Sequence, residues 1–370
     1  MQVCGTPYRT VWLDPEDQRC LRVINQSLLP HRFETLALYT PHDVARVISE
    51  MHIRGAGCIG VTAAYGMYLG ACTAPQDSYH DYLHEVGALL TETRPTAVNL
   101  SWAVQRMLRV ALSAHSLQML QDRTRDEAQK IADEDVAHCR AIGEYGLPLI
   151  EEIYARTQKP VEILTHCNAG WLAFVDHGSA TAPIYAAHRR GIPVHVWVDV
   201  TGPRNQGSRL TAWELLQEGV PHTIIADNTG GYLFQHNAID MVITGADCVT
   251  RQGDAANKIG TYLKALAARE HSVPFYVALP SSTFDFSRTD GLTEIPIEKR
   301  GSHEVTYAYG ENDEGVFSRV RIAPAESPAA NWGFDVTPAR FITELITERG
   351  RCVPTWENIR TLFPEASSAG

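Results

Sequence analysis

The chain lacks a Cys-x-x-Cys pair, a long apolar run and a surplus of positive charge, and each absence excludes a class of protein. Its eight cysteines lie at positions 4, 20, 58, 72, 139, 167, 248 and 352 and form no Cys/His cluster with metal-ligand spacing. That argues against a structural zinc site. The start, MQVCGTPYRTVWLDPEDQ, has no basic-then-apolar signal pattern, so the thiols read as reduced and the chain as cytoplasmic. No apolar run reaches the ~20 residues of a membrane span. Lys and Arg number 32 against 43 Asp and Glu, a formal net charge of −11, which is a poor balance for binding nucleic acid. A small anion remains compatible, because a few local cations can outvote the global charge. The Walker pattern GxxxxGK[ST] is absent and no strand-like run is followed by GxGxxG, which disfavours nucleotide binding and a Rossmann-type oxidoreductase. GxSxG is also missing, and with it the α/β-hydrolase reading.

What is present divides at about residue 158. Before it, apolar residues recur at helical spacing in PHDVARVISEMHIRG, in the wholly apolar GCIGVTAAYGMYLGA, and in DYLHEVGALLTETRP, which stops before Pro95. AVNLSWAVQRMLRVALSAH and a long polar-faced run to Gln158 follow, and short strands such as CLRVI precede them. From Val161 the texture changes. VEILTH, PVHVWVDV, HTIIAD, DMVITGAD and PFYVALP alternate with helical stretches, the pattern of a parallel sheet covered on both faces. The expectation is an α/β protein with a mostly helical N-terminal domain over residues 1–158 and a Rossmann-like catalytic domain over 159–370. A last helix is predicted at PARFITELITERG, capped by Asp335 or Thr337 with Pro338 at its first position, and a frayed end at EASSAG.

Ligands of open α/β sheets bind beyond the carboxyl ends of the strands. Those ends are His166-Cys167-Asn168, Asp199 to Pro203, Asp227-Asn228, Gly245 to Asp247 and Pro280 to Ser282. Cys167 and Asp247 therefore share one rim. Asp247 can serve as a general acid if burial raises its pKa; the alternative is a carboxylate that caps a helix or pairs with Lys258. Cys167 sits at a strand end where a helix dipole would favour thiolate, whereas Cys4, Cys20, Cys58, Cys72, Cys139 and Cys352 read as core thiols. His166 points to the opposite face of the strand, so no Cys–His dyad is expected. Asn257-Lys258 reads as a helix start, which suits phosphate. Arg54-Gly55-Ala56, Arg94 and Gln206 also stand at element starts. Singly, each is as readily an ion pair or a surface group. Together they are the donors that anchoring one phosphate requires. Arg204 and Arg209, flanking Gln206, could hold a second phosphate, although surface arginine is the commoner reading.

The set RGAGCIGVTAAYG, RPTAVNLSWAV, ILTHCNAGWLA, NQGSRLTAWEL, DNTGG, GADCVTRQGDAANKIGTY, PFYVALPSSTFD, IPIEKR and FDVTPARFITELITERG resembles the S-methyl-5-thioribose-1-phosphate isomerase family across nearly the whole chain. That family stands in a larger group with ribose-1,5-bisphosphate isomerases and regulatory subunits of the eukaryotic initiation guanine-nucleotide exchange factor. The resemblance implies a homodimer, no metal or nucleotide cofactor, and conversion of 5-methylthioribose 1-phosphate to 5-methylthioribulose 1-phosphate in methionine salvage. It implies catalytic roles for Cys167 and Asp247 and substrate contacts from Arg54, Gly55, Ala56, Arg94, Gln206, Asn257 and Lys258. There are departures. Gly57 and Cys58 replace a usual Pro and Ala, and Val200 and Gly202 a usual Glu and Arg. Cys248 and Tyr232 stand where Arg and His are frequent. Trp171 is bulky for the catalytic loop and is expected to shape substrate choice. Alternatives left open are 5-deoxyribose 1-phosphate or ribose 1,5-bisphosphate as substrate, or a non-catalytic sugar-phosphate-binding regulatory subunit. Retention of both Cys167 and Asp247 argues against the last.

Overall fold

The computed structural model describes residues 1–94 and 97–368. Helix α1 (Pro41–Ser49) starts where Thr40 and Asp43 form a reciprocal capping box. Helix α2 (Ala56–Thr73) is apolar all round, and almost its whole length is buried. Three amphipathic helices enclose it: α3 (Tyr79–Glu92), α4 (Val98–Ala111) and α5 (Leu117–Thr157). Helix α3 ends at Glu92, ahead of the predicted stop at Pro95, which lies outside the described residues. Helix α5 runs for 41 residues, about 60 Å at 1.5 Å per residue. It closes on Gln158, whose left-handed backbone (φ 55°) lets its N–H return to the Tyr154 carbonyl.

The second half is built on seven strands: β1 (Val161–Thr165), β2 (Val194–Asp199), β3 (His222–Ile225), β4 (Met241–Thr244), β5 (Phe275–Ala278), β6 (Glu344–Thr347) and β7 (Gly350–Cys352). Their order across the sheet is 3-2-1-4-5-6-7; all neighbours are parallel except the β6–β7 edge pair. The first six follow the doubly wound order 3-2-1-4-5-6. The central strands β1, β4 and β5 are buried and largely apolar because both faces are covered there. Ile163 packs on α5 and α6 (Ala182–Arg189), and Leu164, one residue on, packs on the side of α8 (Thr229–Gln235) and α9 (Thr261–Glu270).

Two expectations fail. PARFITELITERG is not a helix: it supplies a single 3-10 turn at Ala339–Phe341 and then β6 and β7. Asp335 caps a different helix. Its carboxylate takes the N–H groups of Gly260 at 2.7 Å and Tyr262 at 3.2 Å, at the start of α9. Asn257-Lys258 is likewise not a helix start. It ends the strand Ala255–Lys258 in a second, four-stranded sheet with Phe284–Asp285, Cys248–Thr250 and Phe334–Thr337. The chain finishes with a helix at Trp356–Leu362 and a 3-10 turn at Pro364–Ser368. The last two residues of the predicted frayed end lie outside the described ones.

Candidate active site

The strand order reverses at β1, so the loops leaving β1 and β4 diverge and open a crevice at their carboxyl ends. Cys167 and Asp247 lie just beyond those two strands. Cys167 is buried, with φ at 67°. Thr201, beyond β2, is also left-handed at 64°. The two are linked: the Cys167 N–H donates to Thr201 Oγ1 at 2.9 Å, and Thr211 Oγ1 donates to the Cys167 carbonyl at 2.7 Å. Backbone of this kind costs roughly 1–3 kcal/mol per residue and concentrates at functional sites. No α-helix begins at Cys167; a 3-10 turn follows at Trp171–Ala173. The expected helix dipole is therefore not what faces the thiol. The nearby positive charge is Lys258, which lies in Coulombic reach of both Cys167 and Asp247.

Asp247 is half-buried, and its N–H is held by the Ala256 carbonyl at 2.9 Å. Among the described residues its carboxyl takes no hydrogen bond and no ion pair. Burial pushes its pKa up, against the pull of Lys258, Arg94 and Arg54. Lys258 has no anionic partner among the described residues either. Its ammonium lies over the Phe334 ring at 4.7 Å, and burial pushes its pKa down. Asn257, adjacent on the strand, donates from Nδ2 to Thr261 Oγ1 at 3.0 Å.

Arg54 enters from the helical half. Among the described residues its guanidinium pairs with no carboxylate; Nη1 donates to Asn168 Oδ1 at 2.7 Å and Nη2 to the Asn168 carbonyl at 2.9 Å. Gly55 precedes α2 with φ at 92°, and no side chain caps the helix, which leaves its first N–H groups free for an anion. A Cβ on Gly55 would lie 2.4 Å from Ala173. Gly55 to Gly60 spells G-x-G-x-x-G. Here it follows a loop, not a strand, and its first and third glycines let α2 approach Ala173 and Asn99. Gly55, Ala56, Arg94, Asn99 and Asp247 line one cleft, otherwise walled by apolar residues such as Ile59, Val98, Ile295 and Phe334. Gln206, 3% exposed, lines a small cavity with Arg54, Arg204 and Arg209.

Arg94 is tethered by Glu298 at 3.1 Å, the first link of a chain running Arg94–Glu298–Arg300–Glu304–Arg204. Burial disfavours a charge on Glu304, yet hydrogen bonds from Arg300 and Arg204 hold its carboxyl at about 2. Arg209 donates to the Ser27 and Leu29 carbonyls. Arg204 and Arg209 also line a larger cavity of about 270 Å³ with Tyr309 and Phe317, bordering the one that holds Arg54 and Gln206. The structure moves Trp171 out of the substrate-choosing position expected for it. Trp171 is fully buried in the core beneath the loop, 6.1 Å from the Trp213 ring. Tyr232 is 60% exposed on α8.

Sequence reading did not find three partners. His166 bridges Asp199 Oδ2 at 2.8 Å and the Ile259 carbonyl at 2.9 Å, away from Cys167. Lys264 meets the same Asp199 oxygen at 3.0 Å. His166, Asp199 and Asp227 are close enough to hold a metal ion, but both ring nitrogens are occupied and Lys264 already supplies the cation. Glu214 is the third: fully buried, it collects donors from the loop after Cys167. An acid inside the apolar run AWELL was the signal available. Among the described residues no helix is long and apolar enough to cross a membrane.

The sequence matches the initiation factor 2 subunit family over residues 52–354. It is 54% identical over 365 residues to the methylthioribose-1-phosphate isomerase of Acidiphilium cryptum, spanning 99% of this chain and 98% of that one. The protein of the same name from Brucella anthropi is 54% identical over 369 residues, spanning 99% and 100%. Among solved structures, 5-methylthioribose 1-phosphate isomerase from Pyrococcus horikoshii OT3 superposes with a TM-score of 0.83 at 37% identity, covering 97% of this chain and 96% of that chain. Translation initiation factor eIF-2B, subunit delta, from A. fulgidus gives 0.79 at 35%, covering 97% and 100%.

Proposed function

The chain belongs to the initiation factor 2 subunit family, and on that premise we propose that it converts 5-methylthioribose 1-phosphate to 5-methylthioribulose 1-phosphate, an aldose–ketose isomerisation of methionine salvage. The observation that carries the reading is Asp247. It is a carboxyl with no hydrogen bond or ion pair among the described residues, raised by burial, in a cleft that also holds Arg94 and the open N-terminus of α2. The 54% identity to isomerases across the whole chain points the same way.

The substrate is a difficult one, because phosphate on the anomeric oxygen blocks spontaneous ring opening. Protonated Asp247 donates to the ring oxygen as the C1–O bond breaks, and the resulting carboxylate takes the proton from the 2-hydroxyl as the C2 carbonyl forms. Hydrogen moves from C2 to C1 by one of two routes. Cys167 as thiolate removes the C2 proton and returns it to C1 of an enediol, or a hydride shifts directly while Cys167 steadies the cationic transition state. Turnover in heavy water separates them: no solvent deuterium at C1 excludes a freely exchanging enediol. Arg54, Arg94 and Lys258, with the amides of Gly55 and Ala56 and the side chains of Gln206 and Asn257, hold the phosphate and sugar. The apolar wall beside Asp247 favours a thioether tail over a second phosphate.

The protein works as a homodimer in the cytoplasm, with a helical domain over 1–158 and a catalytic domain over 159–370. Light scattering at twice the chain mass is the outcome expected of the dimer. The testing experiment gives purified protein methylthioribose 1-phosphate, deoxyribose 1-phosphate and ribose 1,5-bisphosphate, with ketose formation as the readout. Turnover of the first in preference to the others is expected. Turnover of none would favour a sugar-phosphate-binding subunit, the reading that the 35% identity to the A. fulgidus initiation factor subunit keeps in view.

A further inference from the structure

We propose that Glu214 is a positioning residue that aims Arg54 at the substrate's phosphate, acting through Asn168. The inference rests on the isomerase reading, in which Arg54 grips that phosphate. Glu214 lies in α7 (Ala212–Gln217) and is fully buried. Its Oε1 accepts from Asn168 Nδ2 at 2.9 Å and from the Leu172 N–H at 2.9 Å. Its Oε2 accepts from the Trp171 N–H at 3.1 Å and from the Tyr185 hydroxyl at 3.2 Å. Three of the four donors belong to the loop that follows Cys167. Among the described residues no cation pairs with it.

An ionised carboxylate can only accept hydrogen bonds. Together with Thr211 Oγ1, which accepts from the same Nδ2 at 3.2 Å, it fixes which way the Asn168 amide faces: the NH2 turns inward to Glu214 and the oxygen turns outward. That oxygen takes Arg54 Nη1 at 2.7 Å, while the Asn168 carbonyl takes Nη2 at 2.9 Å. The fork of Arg54 is thus set by a neutral intermediary. The acid that would otherwise neutralise the guanidinium stands one residue further back. Orientation is gained without spending the charge the phosphate needs. The same stretch of chain steers the cysteine, since Thr211, at the head of α7, donates to the Cys167 carbonyl at 2.7 Å. The loop is cut to fit the acid: a Cβ on Gly170 would lie 1.6 Å from Glu214 Oε2. Burial raises the Glu214 carboxyl to about 7 even with its donors in place, as for an acid held where solvation is poor.

The test is a double-mutant cycle on the full-length protein with methylthioribose 1-phosphate. Glu214→Gln keeps the shape but sets an NH2 among donors, which weakens the constraint on Asn168 to the Thr211 contact. It should raise KM about tenfold, the scale of one hydrogen bond to a charged group, with kcat within about twofold. In an Arg54→Lys background the same change should add less than about twofold, because the fork it serves is gone. Losses that multiply independently would overturn the proposal. So would a normal KM in Asn168→Ala, which cuts the link while leaving the carboxylate its backbone donors, whether or not Glu214→Gln folds. Tyr185→Phe removes a donor from the far side of the carboxylate and should leave KM unchanged; a KM rise there equal to that of Glu214→Gln means general loop damage and overturns the proposal. Wild-type protein that turns over no sugar phosphate overturns the isomerase reading itself, and this inference with it.

Discussion

Cys167 and Thr201 hold left-handed backbone side by side, and the loop keeps that strain because each is tied to the other. The thiol is thereby fixed in place, so replacing it tests chemistry more than folding. In the proposed reaction Cys167→Ser and Asp247→Asn should each lower kcat by about 10²–10⁴, the range for loss of a proton-transfer group, while KM changes little. Near-normal kcat in either variant removes that residue's role. Lys258→Ala should act differently. It removes a charge that has no ion-pair partner among the described residues, and should raise KM by about 10–100-fold; steady-state kinetics at fixed ionic strength reads the split. At this scale the sequence was informative where a residue's place decides its role. Strand ends put Cys167 and Asp247 on one rim. It was uninformative where tertiary partners decide. Glu214 looks like any helical glutamate until Asn168, Trp171 and Leu172 are folded against it, and Trp171 looks like a wall of the site until Trp213 is seen beside it in the core.

Elements were legible where their periodicity has one interpretation. The first five strands of the main sheet are short, apolar and flanked by turns, and they stand where the pattern puts them. FITELITERG misleads because Ile342, Leu345 and Ile346 are spaced like one face of a helix, while a strand buried on both sides needs no spacing at all. Its β-branched content, Ile342, Thr343, Ile346 and Thr347, was the better guide. AANKIG misleads through Lys258, whose helix begins only after Gly260, at φ 103°. The start of α2 offers a test of its own. Gly55 is left-handed, and a side chain there would strike Ala173. Gly55→Ala should lower stability by more than about 2 kcal/mol, read by urea denaturation. It should also weaken binding of the sugar phosphate, because the first N–H groups of α2 shift with the loop.

Across the whole molecule, stability should carry a pH signature from Asp135, a buried acid on α5 that accepts the Val175 N–H at 2.7 Å. Burial raises its pKa from 3.8 to about 7. A raised acid binds its proton more tightly when folded, so its contribution is complete below about 4 and is lost as pH rises through about 7. Asp135→Asn stays neutral and keeps an acceptor for Val175. The Tm of wild type should therefore fall relative to that of Asp135→Asn between pH 4 and 8, by the equivalent of up to about 4 kcal/mol; parallel curves would refute it. The helix bearing Asp135 has a wider consequence. Leu120, Ala128, Ile131 and Ala132 of α5 belong to the core of the helical half. Ile142, Leu147, Ile150 and Ile153 belong to the core beneath the main sheet, together with Met1, Val3, Ile24 and Leu29 from the chain's start. The change of texture at residue 158 is thus a boundary in sequence and not in packing. A fragment of residues 159–370 would keep α6 but lose the half of α5 that covers the same face of the sheet. It should be recovered aggregated, and the intact chain should melt in one calorimetric transition, because neither core can open without unravelling the rod that the other leans on.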